Sequence, residues 1–351
     1  MQEIQRIALQ PPERFYQEEE ICGGVVKTEP EDFVVTEEPL YPPSGEGDHL
    51  FIQVLKRDVD HETLLRRLVK ALDVSKSDIG YAGTKDRRAI TQQWLSVPRR
   101  AEAAIDVFED PAIEIRQVIA HPHKLRRGHL KHNRFDCLLR GARKAPSSEL
   151  IKRLMTDGVP NFYDAQRFGK AGSTALAGLK YLRGDVKKVS SRSLLRLQIS
   201  AVQSLGFNHV LRARIADGLL HQPLLGDLAQ VRQSGGIFWV DDVKDVEARL
   251  AAEELSLTGP MLGAKVKLPR AEAGDYERMK LEELGLRAEL FEGMKKLAPG
   301  SRRPLCVRPS ELHVSMEEAG LRVKFSLPPG AYATLILREF TGTSVELSGS
   351  A

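Results

Sequence analysis

Apolar residues change their period twice along this chain. In HLFIQVLKR, residues 49–57, Leu50, Ile52 and Val54 alternate onto one side, and Phe33, Val34 and Val35 mark a shorter run inside VVKTEPEDFVVTEEP, residues 25–39. Both runs predict strands, separated by the turn-forming YPPSGEGD. In HETLLRRLVKAL, residues 61–72, the period lengthens: Leu64, Leu65, Leu68, Val69 and Leu72 share one helical face, and Asp60 stands where an N-cap belongs. A strand or turn then carries GYAGTKDRRA (80–89), followed by TQQWLSVP (91–98), and two more strands are expected near 112–120 and 130–140. From about residue 156 the texture is helical, in STALAGLKYL (173–182) and in 192–218, where Gly218 is a natural stop. The Gly/Pro-containing LTGPMLGAKVKLP (257–269) separates these from charged helical segments at about 270–297. Alternation returns in LRVKFSLP (321–328). Strands, then helices, then strands again make an inserted domain the economical reading, with the C-terminal strand returning to the first sheet of an α+β fold.

Composition narrows the class without naming a function. A chain of 351 residues has room for two domains, or for one domain with a large insertion. The formal net charge is only +4, so an argument for nucleic acid has to rest on local patches. Cys22, Cys137 and Cys306 are scattered, with no C-x-x-C, which suggests neither a disulfide framework nor a zinc ribbon and fits a reducing compartment. The polar N-terminus has no apolar core for a signal peptide and no apolar run approaches membrane-span length, so the expected location is cytoplasmic, with no membrane partner.

The segment GTKDRRAITQQW, residues 83–94, is the most informative. Gly83 permits a tight backbone, and Asp86 lies among Lys85, Arg87 and Arg88. A carboxylate surrounded by cations is held ionised and can act as nucleophile or base. The same pattern also describes an aspartate that merely caps a turn among solvated charges.

In HPHKLRRGHLKHNRF (121–135), Lys124, Arg126, Arg127, Lys131 and Arg134 are interrupted by no acid, which is the footprint of phosphate contact. Phe135 offers a face on which a base could stack; the competing reading is a solvated basic hairpin with Phe135 in the core. His121, His123, His129 and His132 raise the question of a metal, but the surrounding cations oppose one, and these histidines are expected to add polar contacts to RNA. VPNFYDAQRFGKAGS (159–173), with Gln166 and Arg167, reads either as a loop gripping a flipped nucleotide or as a packed entry to the helical region. No P-loop, dinucleotide fingerprint, nucleophile elbow or H-E-x-x-H occurs, so no nucleotide cofactor is expected.

Taken together, these segments resemble the TruD family of tRNA pseudouridine synthases, over nearly the whole chain and in order. VVKTEPEDFVVTEE is similar to its N-terminal motif, YAGTKDRRAITQQW to its catalytic G-x-K-D motif, LKHNRF to its Asn-x-Phe motif and GVPNFYDAQRFG to its N-Y-F-G-x-Q-R-F-G motif. ISAVQSLGFNHVLRARI and FSLPPGAYATLILREF look like its later segments. Two departures stand out: N-Y-F-G is N-F-Y-D here, and His132 replaces the glycine that usually precedes the Asn-x-Phe asparagine.

The resemblance implies a pseudouridine-synthase catalytic domain with a mixed, mainly antiparallel sheet (1–155 and 306–351) and an inserted α/β TRUD domain (156–305). It implies isomerisation of uridine to pseudouridine in tRNA, at position 13 in bacterial members, with no cofactor and no metal. It assigns Asp86 as catalytic and Lys27 as its ion-pair partner. Phe135, Asn133, Phe33, Lys85, Arg87, Arg88, Gln166 and Arg167 become candidate substrate contacts, and Lys124, Arg126, Arg127 and Lys131 candidate contacts to the RNA backbone. Two rivals are a non-catalytic RNA-binding protein, which would not need Asp86, and a metal-dependent nuclease using the histidines.

Overall fold

Inward and outward positions alternate along the first strands, and the same register carries across them to build one face of a sheet. In the computed structural model, which describes residues 4, 6, 7 and 10–342, the chain divides into two compact units. A sheet unit takes Tyr16–Met155 and the chain from Arg308 onward; an inserted unit takes Thr156–Val307 and the residues up to Phe15. The leader was expected with the first part of the chain. It groups instead with the insertion, where the Arg212 guanidinium donates to the carbonyls of Ile7 and Gln10. The sheet unit begins where the Tyr16 N–H is held by the Glu339 carboxylate at 3.0 Å.

Before the insertion come β1 (Phe33–Pro39), β2 (His49–Arg57), β3 (Gly80–Tyr81), β4 (Ile90–Pro98), β5 (Ile113–His121) and β6 (Leu130–Arg140). Within it lie β7 (Val159–Pro160), β8 (Leu228–Val231), β9 (Ile237–Trp239), β10 (Leu255–Met261), β11 (Ser301–Pro304) and β12 (Cys306–Val307); β13 (Ser310–Glu317) and β14 (Gly320–Leu327) follow. The main sheet has the order β13-β14-β6-β1-β4-β2-β5, with β3 also on β4. Only β1 and β4 run parallel in it; the other pairs are antiparallel. The returning strand β14 pairs with β6 from Gly320↔Arg140 to Leu327↔Asn133, so the chain after the insertion completes the first sheet.

One face of the sheet is covered by the helix His61–Ala71. Its N-terminus is capped as the sequence predicts, by the Asp60 carboxylate accepting from the Thr63 N–H at 2.9 Å. Leu64, Leu65 and Leu68 pack against Leu50, Ile52, Val54, Leu95 and Val97. Phe51 and Trp94, from the alternate strand positions, form a second cluster with Leu130 and with Leu125 of the loop before it.

His61, at the start of this helix, is buried against the Tyr81 ring at 4.5 Å, and neither ring nitrogen has a protein partner. Burial pushes its pKa down from 6.5 to about 4. Between those values the unfolded chain takes up a proton that the folded chain refuses, so stability falls as pH drops from about 6.5 to 4. The full contribution is on the order of 3 kcal/mol. Urea unfolding across that range should show the loss, and His61→Phe should flatten it; an unchanged slope in the variant would assign the acid sensitivity elsewhere.

The inserted unit contains the sheet β11-β10-β8-β9 as well as helices. The stretch read as a Gly/Pro separator supplies most of β10, one of its two inner strands. Gly259 is needed there because a Cβ would meet the Phe207 ring at 2.9 Å. Pro260 lies beyond the part of β10 that pairs with β8, so its missing N–H breaks no ladder on that side. The helix Arg192–Ala216 ends at Gly218, whose φ of 73° is left-handed. The charged helical segments expected at about 270–297 are the helix Ala271–Glu283, after which Gly285 at φ 63° turns the chain, and a single 3-10 turn at Ala288–Phe291. Buried pairs Arg214–Asp227 and Arg302–Glu277, at 2.5 and 2.7 Å, tie the unit's elements together. Among the described residues, no helix is long and apolar enough to cross a membrane.

Candidate active site

The site is assembled on the inward face of the main sheet, along two rows that cross the strands. The first row reads Lys56 (β2), Thr91 (β4), Val35 (β1), Phe135 (β6) and Phe325 (β14), each partnered with the next. In the second, Glu37 (β1) faces Asn133 (β6), which faces Leu327 (β14). Because side chains two apart share a face, Phe33, Val35 and Glu37 line up with Asn133, Phe135 and Cys137.

Asp86 lies beside these rows on the irregular connection between β3 and β4. Its carboxylate Oδ2 accepts from the Lys27 ammonium at 2.5 Å. Lys27 is almost wholly buried and Asp86 is 55% exposed, so one end of the pair is fixed in protein and the other is presented to solvent. Lys27 adopts φ 61°, a strained conformation for a non-glycine residue, and its ammonium sits 4.0 Å from the centre of the Phe33 ring. Phe33 in turn meets Phe135 edge-on at 5.9 Å, and Phe135 stacks on Phe325 at 5.2 Å. Asp86, Lys27, Phe33 and Phe135 are therefore linked by successive contacts, with Asn133 two residues from Phe135 on the same face.

Several candidates stand differently from the expectation. Phe135 is packed among aromatic rings, although at 9% exposure it is the most open of the three. Lys85 turns inward and pairs with the buried Glu37 at 2.5 Å, so its charge is spent inside the protein. Burial raises the Glu37 pKa against the opposing pull of Lys85. Gly83 has no left-handed φ, and a Cβ there would meet only the end of the Lys85 side chain at 3.6 Å. The tight approach belongs to Gly80, where a Cβ would lie 2.3 Å from the Leu125 carbonyl oxygen. Arg87 and Arg88 are exposed, Arg87 lying 3.6 Å from Asp58.

The basic hairpin leans over the connection that leads to Asp86. The Gly128 N–H donates to the Ala82 carbonyl at 3.0 Å, and Arg127 donates to the Tyr81 hydroxyl at 2.9 Å. Lys124 donates to the Ser77 carbonyl, Lys131 pairs with Glu38 at 3.2 Å and Arg126 is exposed. Two of the histidines expected at RNA are instead engaged with Tyr41: His121 stacks on it at 5.4 Å, and His129 Nδ1 lies 2.6 Å from its hydroxyl. Among the described residues no group of three or more His, Cys, Asp or Glu stands where it could hold a metal ion.

In the inserted unit, the 159–173 segment is packed from within. Asn208 clamps the Tyr163 main chain from both sides, and Phe162 and Phe168 are buried. Arg167 donates to the hydroxyls of Ser200 and Ser204, while Gln166 is exposed.

Sequence reading missed three buried polar side chains on this face of the sheet, Lys56, Thr91 and Gln93. Lys56 is fully buried and donates to the Asp86 carbonyl. Thr91 and Gln93 are buried on the same face, and their side-chain polar atoms, with Glu37 Oε1 and Asn133 Oδ1, have no protein partner. Buried polar atoms of this kind are ordinarily satisfied by water or a ligand. The signal was present: in β2, Lys56 follows Leu50, Ile52 and Val54 on the inward side of the alternation.

Comparison with known proteins gives the family. The family model described as tRNA pseudouridine synthase D (TruD) matches residues 12–192 and 188–340. A tRNA pseudouridine synthase D of Anaeromyxobacter dehalogenans (strain 2CP-C) is 39% identical, covering 93% of this chain and 95% of its own. A Thermus thermophilus protein of the same name is also 39% identical, over 90% of this chain and 88% of its own. A crystal structure from Methanosarcina mazei, titled as a TruD protein, superposes with a TM-score of 0.73 at 24% identity over 98% of both chains, a likeness of fold. With the motifs, the sheet and these matches in accord, the chain belongs to the tRNA pseudouridine synthase D (TruD) family.

Proposed function

We propose that this protein isomerises uridine to pseudouridine in tRNA, at position 13, with Asp86 as the reacting carboxylate. The observation that carries the reading is the 2.5 Å pair between Lys27 and Asp86, set on the family's G-x-K-D segment beside the Phe33 and Phe135 rings. The reaction detaches uracil from C1′, turns it and rejoins it through C5. Nothing is gained or lost from the nucleotide except the exchange of the C5 hydrogen with solvent, so the chemistry requires no cofactor.

Asp86 either attacks C1′ or takes the 2′ proton; both routes need an ionised carboxylate at the sugar. Lys27 holds that carboxylate in place. A target base inside folded RNA has to be extruded, at a cost of a few kcal/mol, which backbone contacts offset. Arg87, Arg88, Lys124, Arg126, Arg127 and Lys131 are the side chains assigned to those contacts. The open edge of Phe135 and the uncommitted Asn133 oxygen receive the base. Lys85 and Arg167 are assigned to support rather than contact, since each is engaged internally, and Gln166 remains a contact residue. The sheet unit is the catalytic domain and the inserted unit the TRUD domain, working on tRNA in the cytoplasm.

The test is tritium release from tRNA labelled at uracil C5, followed by carbodiimide-dependent primer extension to locate the product. Release with a stop at position 13 is expected. Binding without release would leave the RNA-binding reading in its place, and chelator-sensitive cleavage of the RNA would leave the nuclease reading.

A further inference from the structure

Asp86 sits in Gly83–Asp86, a stretch that belongs to no strand or helix. No backbone ladder fixes its direction, so side chains from elsewhere have to. Lys27 holds the carboxylate and Lys85 anchors the neighbouring position to Glu37. The third anchor is Lys56, at the end of β2, whose ammonium donates to the Asp86 carbonyl and to the Val59 carbonyl, both at 2.7 Å. Lys56 has no exposed surface. Burying an ammonium is costly unless it is well hydrogen-bonded, and an apolar side chain would fill this inward strand position more cheaply.

We propose that Lys56 is a positioning residue for the reaction: it ties the main chain of Asp86 to the loop leaving β2 and so sets where the carboxylate points. The inference rests on Asp86 being the reacting carboxylate. Lys56 acts through the backbone: its two hydrogen bonds go to main-chain carbonyls and neither goes to the Asp86 carboxyl group.

The groups facing its ammonium are Asp58 and Asp60 from the loop after β2, His61 from the helix that follows, and Lys85 and Asp86 from the connection to β4. Burial pushes its pKa down to about 8, with Asp86, Asp60 and Asp58 pulling the other way and Lys85 reinforcing the shift. Raising the pH through that value removes the charge that strengthens both hydrogen bonds.

The experiment measures single-turnover tritium release from tRNA labelled at uracil C5, for wild type, Lys56→Met and Asp86→Asn. Filter binding gives tRNA affinity, and thermal unfolding reports the fold. Lys56→Met should lose about 100-fold in rate, the scale of a small misplacement of a reacting group, while tRNA affinity stays within about threefold of wild type. It should also lack the fall in rate expected of wild type as pH rises through about 8. A variant rate within about threefold of wild type, or rate and affinity lost in step, would overturn the proposal. If Lys56→Met does not fold, Lys56→Gln, a shorter neutral donor, decides by the same readouts: a lost rate with tRNA affinity kept supports the role, and a rate within about threefold of wild type overturns it. An active Asp86→Asn overturns this inference together with the reading beneath it, whereas an inactive Asp86→Asn beside a fully active Lys56→Met removes Lys56 alone.

Discussion

Asp86→Asn should bind tRNA as wild type does and release tritium from uracil C5 at least about 10³-fold more slowly. The substitution keeps the shape of the side chain and leaves an amide oxygen to accept from Lys27. What disappears is the negative charge, and with it the capacity to attack C1′ or to take a proton from the ribose. The side chain is 55% exposed, so its replacement creates no cavity, but it leaves the buried Lys27 ammonium without its counter-charge, which costs stability. Thermal unfolding should therefore show a lower midpoint with a cooperative transition, and tRNA binding retained below that midpoint separates the chemical lesion from the structural one. A rate within about tenfold of wild type would remove Asp86 from the chemistry.

Lys27→Met should lose about 10²-fold in single-turnover rate, with little loss of stability. The asymmetry follows from where the two charges lie. Lys27 is buried and Asp86 faces solvent, so the variant removes the desolvated member and leaves its partner to be hydrated. The penalty for breaking a buried pair comes from a charge left buried and unpaired, and the charge left behind here, on Asp86, faces solvent. The reaction fares differently, because Asp86 loses the contact that holds it beside the aromatic cluster. Urea unfolding alongside tritium release checks both halves; a strongly destabilised variant, or one that keeps its rate, would show that the ion pair serves the fold alone.

Strand and helix positions in the sheet unit were legible because each rests on a local period. Leu50, Ile52 and Val54 mark β2, and the Asp60 cap with Leu64, Leu65 and Leu68 marks the helix that covers it. The strand β10 was hidden because Gly259 and Pro260 carry the usual signs of a break. Their presence answers to the Phe207 ring and to the end of β8 pairing, which are long-range facts. The end of the helix at Glu283 could have been read from Gly285. In the candidate site, Asp86 and Asn133 with Phe135 were singled out through motifs. The relation between Asn133 and Glu37 depends on strand register, which no local pattern specifies. Lys85 illustrates the same limit: beside Asp86 in sequence it reads as part of a cationic cluster, yet in space it faces a buried glutamate. Lys56 was visible as a lysine on the apolar side of an alternating strand, but what it holds was not.

The most direct measurement is a crystal structure of Asp86→Asn bound to its unmodified tRNA. The account predicts a uridine turned out of the RNA stack, its C1′ within about 3.5 Å of the residue 86 side chain and its ring against Phe135. A target uridine still stacked in the tRNA, or an extruded one seated away from residue 86, would contradict it.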